Sequence, residues 1–322
     1  MTDRAASTEA TRPEETDAAQ RRVVPVWACI LIGVGAALVG LAPWVITGMR
    51  LPLQNLWAYS TMPDEMPVVL LPFSQYAIVL LVGILVTGAG AGGIAARALR
   101  ARLPRRGALA IALALFGTQI IAVAQTAVVV QAGLQQRTET VLYLGALVGV
   151  CVLSLATGVV AFLLIARAPR AGAVVGLSIA ALAAGPWLSG VLVPFGSITS
   201  DATLPLLDLV RWVPAVLVGV AIAWGGLRTV GQVVAALFGV ALVWIVPALI
   251  TGITSAAGMR VLARYPGEMI DYGVGVFVMA LTTPDVALKP VVVTIVVAFA
   301  AIVVRAVILR RRAANATRRL TT

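Results

Sequence analysis

The residues best suited to chemistry in this chain are neutral amides and hydroxyls set among apolar neighbours. Thr118, Gln119, Gln125, Thr126 and Gln131 interrupt or border the apolar run at 108–130. Thr118 and Gln125 are seven positions apart, as are Gln119 and Thr126, and on a helix this spacing puts all four on one narrow face. Such a face avoids lipid. Its ordinary role is hydrogen bonding between helices, worth about 0.6 kcal/mol per contact. Its functional role would be a polar path for an uncharged or amide-compatible solute, with Cys151, Ser154 and Thr157 of the next run turned towards it.

The acids offer a second chemistry. Asp64, Glu65, Glu268 and Asp271 lie between apolar runs. If their segments converge, they could hold a divalent cation or do acid–base work on a lipid-linked substrate. If they do not, Glu268 and Asp271 simply open a short helix behind Pro266-Gly267, where acids suit the positive end of the helix dipole. Asp208 and Arg211, three apart, are expected to form an ion pair at the membrane interface. None of these spacings matches a catalytic pattern, so no catalytic residue is assigned.

Metal and cofactor chemistry find little support. There is no His, and the two Cys, Cys29 and Cys151, sit in separate apolar runs, which leaves neither a zinc or copper ligand set nor a disulfide framework. No metal and no cofactor are expected. Gly88, Gly90 and Gly93 satisfy G-x-G-x-x-G, but no strand precedes them, so close helix packing is expected rather than a dinucleotide site. The same packing is expected of Gly145 and Gly149.

The elements that position these residues follow from composition. Of 322 residues, 61% are hydrophobic and 11% charged, and the mean hydropathy is +1.02. Such a chain is solvated by a bilayer. Apolar runs recur at about 23–46, 74–96, 108–130, 141–166, 172–193, 209–227, 231–252 and 289–309. Each is long enough to cross roughly 30 Å of hydrocarbon as a helix and too continuously apolar for a barrel strand. The expected fold is an all-α, polytopic bundle of about eight spans over residues 23–309. A disordered polar tail at 1–22 precedes it and a basic tail at 310–322 follows it. The run from Val23 exceeds a signal-peptide core and is read as an uncleaved span.

Charge sets the orientation. The net charge of +11 comes from 24 Lys and Arg against 13 acids, and the basic residues lie in short segments between spans rather than on a soluble face, so no nucleic-acid partner is expected. Eighteen of the 24 fall on the side holding both termini, and six (Arg50, Arg137, Arg211, Arg260, Arg264 and Lys289) on the other, together with eight acids. The positive-inside rule then puts the termini in the cytoplasm. The Arg, Ala, Gly and Val bias points to a bacterial genome of high GC content, and so to a cytoplasmic membrane. On the outer side, segments 47–73, 194–208 and 253–288 are expected to carry any ligand-facing role. Within the last, 272–282 is apolar but too short to span, and reads as interfacial or re-entrant.

An internal 4+4 parallel repeat is a candidate. Ala42-Pro43-Trp44 resembles Gly185-Pro186-Trp187, VLLVG at 79–83 resembles AVLVG at 215–219, and ALFG occurs at 114–117 and 236–239, in collinear order. Chance resemblance among low-complexity strings is the competing account. Pro43-Trp44 and Pro186-Trp187 are expected to form part of an interfacial aromatic belt; a kink at Pro247 near Trp244 could open a cavity, although mid-span proline is tolerated in many membrane helices without one.

Together these features favour a transporter-like or permease-like protein, or an envelope accessory protein, whose partners are the bilayer and either a membrane protein or a lipid-linked substrate. A membrane-embedded transferase acting at the outer face and a scaffold for other membrane proteins are the competing readings.

Overall fold

The computed structural model describes residues 23–320 apart from 55, 198, 260 and 262–264. The polar tail at 1–22, and Arg260 and Arg264 of the charge count, lie outside the described residues.

The described chain forms ten α-helices and, among the described residues, no strand beyond two isolated bridges. They are α1 (Val26–Ile46), α2 (Ile78–Leu99), α3 (Gly107–Gly133), α4 (Thr138–Arg167), α5 (Arg170–Leu192), α6 (Leu204–Val210), α7 (Val213–Gly225), α8 (Val230–Gly258), α9 (Pro266–Thr282) and α10 (Lys289–Leu320). A 3-10 turn, Gln75–Ala77, leads into α2 and a π turn, Pro284–Leu288, into α10. Eight helical segments are long and apolar enough to cross a membrane, so this is an integral, multi-pass membrane protein. α10 runs on as helix through the basic segment to Leu320.

Helix ends follow local chemistry. At the start of α8, the Thr229 hydroxyl accepts from the Gln232 N–H and the Gln232 side chain accepts from the Thr229 N–H, a complete capping box. α7 ends at Gly226, whose φ of +81° only glycine adopts freely. The sixth span, expected to be continuous from 209 to 227, is instead split into α6 and α7 and begins at Leu204. Pro214 is the cause, because it has no N–H for the Val210 carbonyl and disfavours helical geometry just before it.

The apolar stretch at 272–282 belongs to a longer helix, because Pro266 suits a first turn and starts α9 there. α9 turns back along α8. Gly273 lies beside Ala256 and Gly252, and Phe277 against Gly252. Near its other end, the Trp244 indole N–H donates to the Leu281 carbonyl at 3.2 Å. This pairing brings α9 down to the middle of α8, short of a crossing.

Packing repeats between the halves. α1 packs on α2 and α3, α2 packs on α4, and α3 touches α2 and α4 more lightly. In the second half, α5 packs on α7 and α8, α7 packs on α10, and α8 touches α7 and α10 more lightly. α5 also joins the halves by lying against α2 and α4. The short strings do not follow this repeat in register. Leu115 of the first ALFG is fully buried against Gly33 and Gly92, whereas Leu237 of the second is 65% exposed.

α2 is the hub, and its glycines explain why. Gly88 faces Ala36 and Gly40 of α1, Gly90 faces Ala180 of α5, and Gly93 faces Phe162 and Ile165 of α4. Without side chains at these three positions the neighbouring helices approach closely. Gly145 and Gly149 differ from this expectation: among the described residues nothing lies within 4 Å of where their Cβ atoms would stand, so they pack closely against no described helix.

Candidate functional site

Three features could carry function: a loop segment sunk into the first half, an apolar slot between the halves, and a set of charged groups near the ends of the helices.

The segment joining α1 to α2 is not a free outer loop. Leu51, Met66, Val69, Leu71 and Phe73 are buried in one cluster with Leu41, Trp44, Leu81, Leu85 and Cys151. Its backbone is held by the polar face of α3. The Leu70 and Leu71 N–H groups donate to Gln125 Oε1 and Thr126 Oγ1, both at 3.0 Å, and Gln125 Nε2 donates to the Val68 carbonyl at 3.2 Å. Gln54 Nε2 donates to the Phe73 carbonyl at 2.8 Å and Tyr143 donates to Gln54 Oε1 at 2.7 Å. Irregular backbone is tolerated at membrane depth only when buried in protein with its polar groups satisfied, and these bonds provide that. Thr126 stands seven residues, roughly 10 Å, before the end of α3, which gives the depth of the segment.

The remaining polar residues divide. Gln119 is buried and its Nε2 donates to the Leu85 carbonyl at 2.9 Å, while among the described residues its Oε1 has no partner. Thr118 and Ser154 donate to carbonyls one turn back in their own helices, Ala114 at 2.8 Å and Val150 at 2.7 Å. Gln131 is exposed. Cys151 is fully buried, and Thr157 lies instead on the slot described below.

The Pro-Trp pairs bond within the bundle, Trp44 buried and Trp187 half-buried. Trp44 is 2% exposed and donates to the Val69 carbonyl at 2.8 Å, which fixes the sunken segment to α1. Trp187 reaches across from α5 and donates to the Val39 and Gly40 carbonyls at 3.0 and 2.9 Å. Indole N–H groups in a dry interior need acceptors, and proline-containing helices leave carbonyls free to accept.

Between the halves runs a slot of about 350 Å³ with walls from α2, α4, α5 and α8. It is lined by aliphatic side chains, among them Val82, Val86, Leu182, Leu242 and Val246, with Thr157 the one hydroxyl. Its α8 wall, Leu242 and Val246 before Pro247 and Ile250 and Ile253 after it, runs past the proline, which does not itself line the slot. α8 touches α2 only lightly, and the 3-10 turn closes against α8 at the loop end. The slot extends inward from Ile78 and Ile253 as far as Val86, Ile179 and Thr157. Thr157 is ten residues from Arg167, roughly 15 Å along the helix, so the slot stops near the middle of a 30 Å core.

The acids lie elsewhere. Asp64 and Glu65 are exposed, and Glu65 accepts weakly from the Met62 N–H at 3.4 Å. Glu268 occupies the first turn of α9 and Asp271 follows one turn later, both exposed. Among the described residues no group of three or more Asp, Glu, Cys or His side chains is placed to hold a metal ion. Asp208 and Arg211 form an exposed ion pair at 3.7 Å, with the guanidinium 4.7 Å from the centre of the Trp212 ring. Lys289 pairs with Asp285 near the start of α10.

Two arginines at the other end were not singled out in the sequence. Arg97 of α2 donates to the Ile165 and Ala168 carbonyls at 2.7 and 3.0 Å, closing the end of α4, and sits 5.1 Å from the Trp224 ring centre. Arg305 of α10 donates to the Ala223 and Trp224 carbonyls at 3.1 and 3.2 Å, closing the end of α7. The negative end of each helix thus meets a cation, and Trp224 links the halves. Position in an Arg-rich segment was the available signal, but it marks many arginines and distinguishes none.

No family model, no curated protein and no solved structure matches this chain.

Proposed function

We propose that this protein is a lipid-binding accessory protein of a bacterial cytoplasmic membrane, taking the chain of a lipid-linked molecule from the outer leaflet into the slot between its halves. The observation that carries this reading is the slot, which is apolar, built from both halves and limited to half the depth of the bundle. Its volume is within the range of ligand sites. At about 30 Å³ per water-sized group it holds roughly a dozen methylene-sized units, enough for one chain and too few for two.

Leaflet and orientation rest on charge. By sequence, eighteen of the 24 basic residues fall on the side that holds both termini; among the described ones, Arg97, Arg167 and Arg228 follow or close the helix ends away from the slot, and we assign that end to the cytoplasm. A lipid is favoured over a polar solute because the polar groups of Gln125 and Thr126 are engaged in holding backbone, and Thr118 and Ser154 bond within their own helices. A binding role is favoured over a transferase because no side chain lining the slot is ionisable.

The test is native mass spectrometry of the protein released intact from its own membrane, alongside Val82→Trp and Val246→Trp, which fill the slot. A lipid-linked mass should accompany the unsubstituted protein and fall at least tenfold in both variants while they remain folded. Protein released bare, or occupancy indifferent to both tryptophans, rejects the reading.

A further inference from the structure

The repeated packing leaves the second half incomplete. In the first half, the pair α2 and α4 carries α5 on its remaining face, with Ala180 against Gly90 and Gly176 against Ala161 and Ile165. The corresponding pair in the second half is α7 and α10. These pack on each other and on α5, α6, α8 and the π turn, and among the described residues no helix occupies the place that α5 holds on α2 and α4. Burial records the difference. Corresponding spans are alike at the first and fifth positions, both 44% buried, and at the third and seventh, 33% and 28%. The second and sixth differ, 61% against 39%, as do the fourth and eighth, 33% against 11%. The deficit therefore falls on the two spans that lack a counterpart of α5.

We propose that this face of α7 and α10 receives α1 of a second copy of the chain. The occupant is identified by the repeat, because α1 is the first span of its half as α5 is of the other, and among the described residues it packs chiefly on α2, α3, α5 and the segment that follows it. Its side away from them presents Trp27, Leu31, Leu38 and Val45, all exposed. The contact joins unlike surfaces, so each copy offers one α1 and one open α7 and α10 face, and copies assemble head to tail into a ring or a chain. The inference is independent of lipid binding in the slot.

The experiment is disulfide trapping in native membranes with Leu38→Cys and Phe299→Cys, mid-span positions that are 54% and 70% exposed. Cys29 and Cys151 are buried and serve as the silent background. The double variant should give crosslinked dimers and higher species on oxidation, at least tenfold more than either single variant. Native mass spectrometry of the unsubstituted protein in nanodiscs from its own membrane should show more than one copy. The proposal is overturned by lone chains, by crosslinking as efficient in either single variant as in the double, or by another protein in stoichiometric association without a second copy. Assembly trapped through cysteines at Gly145 and Gly149 of α4 in place of α1 and α10 also overturns it.

Discussion

Trp187 donates its indole N–H to the Val39 carbonyl at 3.0 Å, and Val39 is the residue whose helical acceptor role Pro43 leaves unfilled. One tryptophan thus repairs the break made by a proline in a helix of the other half. Trp187→Phe keeps most of the ring and removes the donor, leaving the carbonyl bare in a dry contact, a loss of about 1–3 kcal/mol. The midpoint of thermal unfolding in a fixed detergent should drop by a few degrees. Trp27→Phe is the control, since Trp27 is 65% exposed, and an equal drop there would mean that the hydrogen bond contributes nothing.

The sunken segment gives a second prediction. Thr126→Val preserves shape but leaves the Leu71 N–H without its acceptor, and Gln125→Leu does the same for Leu70. Loss of about 1.4 kcal/mol raises local opening tenfold. Hydrogen–deuterium exchange of residues 66–73 should accelerate by about that factor in either variant and remain unchanged in Gln131→Leu, whose side chain is exposed. Exchange that is equally fast in the unsubstituted protein would show that α3 does not hold this segment.

Span number and position were legible because they depend on local apolar length, and each expected span overlaps one of the eight segments. The polar face of α3 was legible too, since a seven-residue spacing needs only helical geometry. What these residues bind was not legible. Gln125 and Thr126 meet backbone 55 residues away, and backbone donors at 70 and 71 look like any others in a sequence. The slot was hidden for a similar reason, because its walls come from four helices and its lining residues are ordinary span residues. Gly145 and Gly149 erred in the opposite direction, since small-residue spacing states that a close approach can occur but not that a partner is present.

That distinction among glycines can be measured. A Cβ at Gly40 would run into the Ile84 carbonyl, and one at Gly219 would stand 2.8 Å from the Thr294 carbonyl. Gly40→Ala and Gly219→Ala should each cost about 1–3 kcal/mol through forced separation of helices. Gly145→Ala should leave the stability of the isolated chain unchanged or raise it slightly, as a helical Gly replaced by Ala gains up to about 1 kcal/mol. Equal unfolding midpoints for all three variants in detergent would refute the assigned packing.

At the Arg-rich end, the guanidinium geometry of Arg97 and Arg305 makes the final prediction. Each reaches two carbonyls at a helix end from a neighbouring helix, Arg97 at 2.7 and 3.0 Å and Arg305 at 3.1 and 3.2 Å. Lysine keeps the charge but is a point donor without a planar fork, so it preserves the dipole interaction while losing some of the paired hydrogen bonding. Arg97→Lys and Arg305→Lys should therefore destabilise by about 1 kcal/mol, and Arg97→Gln and Arg305→Gln by more, because the cation is lost as well. Arg97 carries an extra contribution from the Trp224 ring, worth about 0.5–1 kcal/mol at an exposed site. Trp224→Leu should accordingly weaken the effect of Arg97→Gln, and a double-mutant cycle on unfolding midpoints reads the coupling directly. A coupling of zero would mean that the two halves are not joined through this pair.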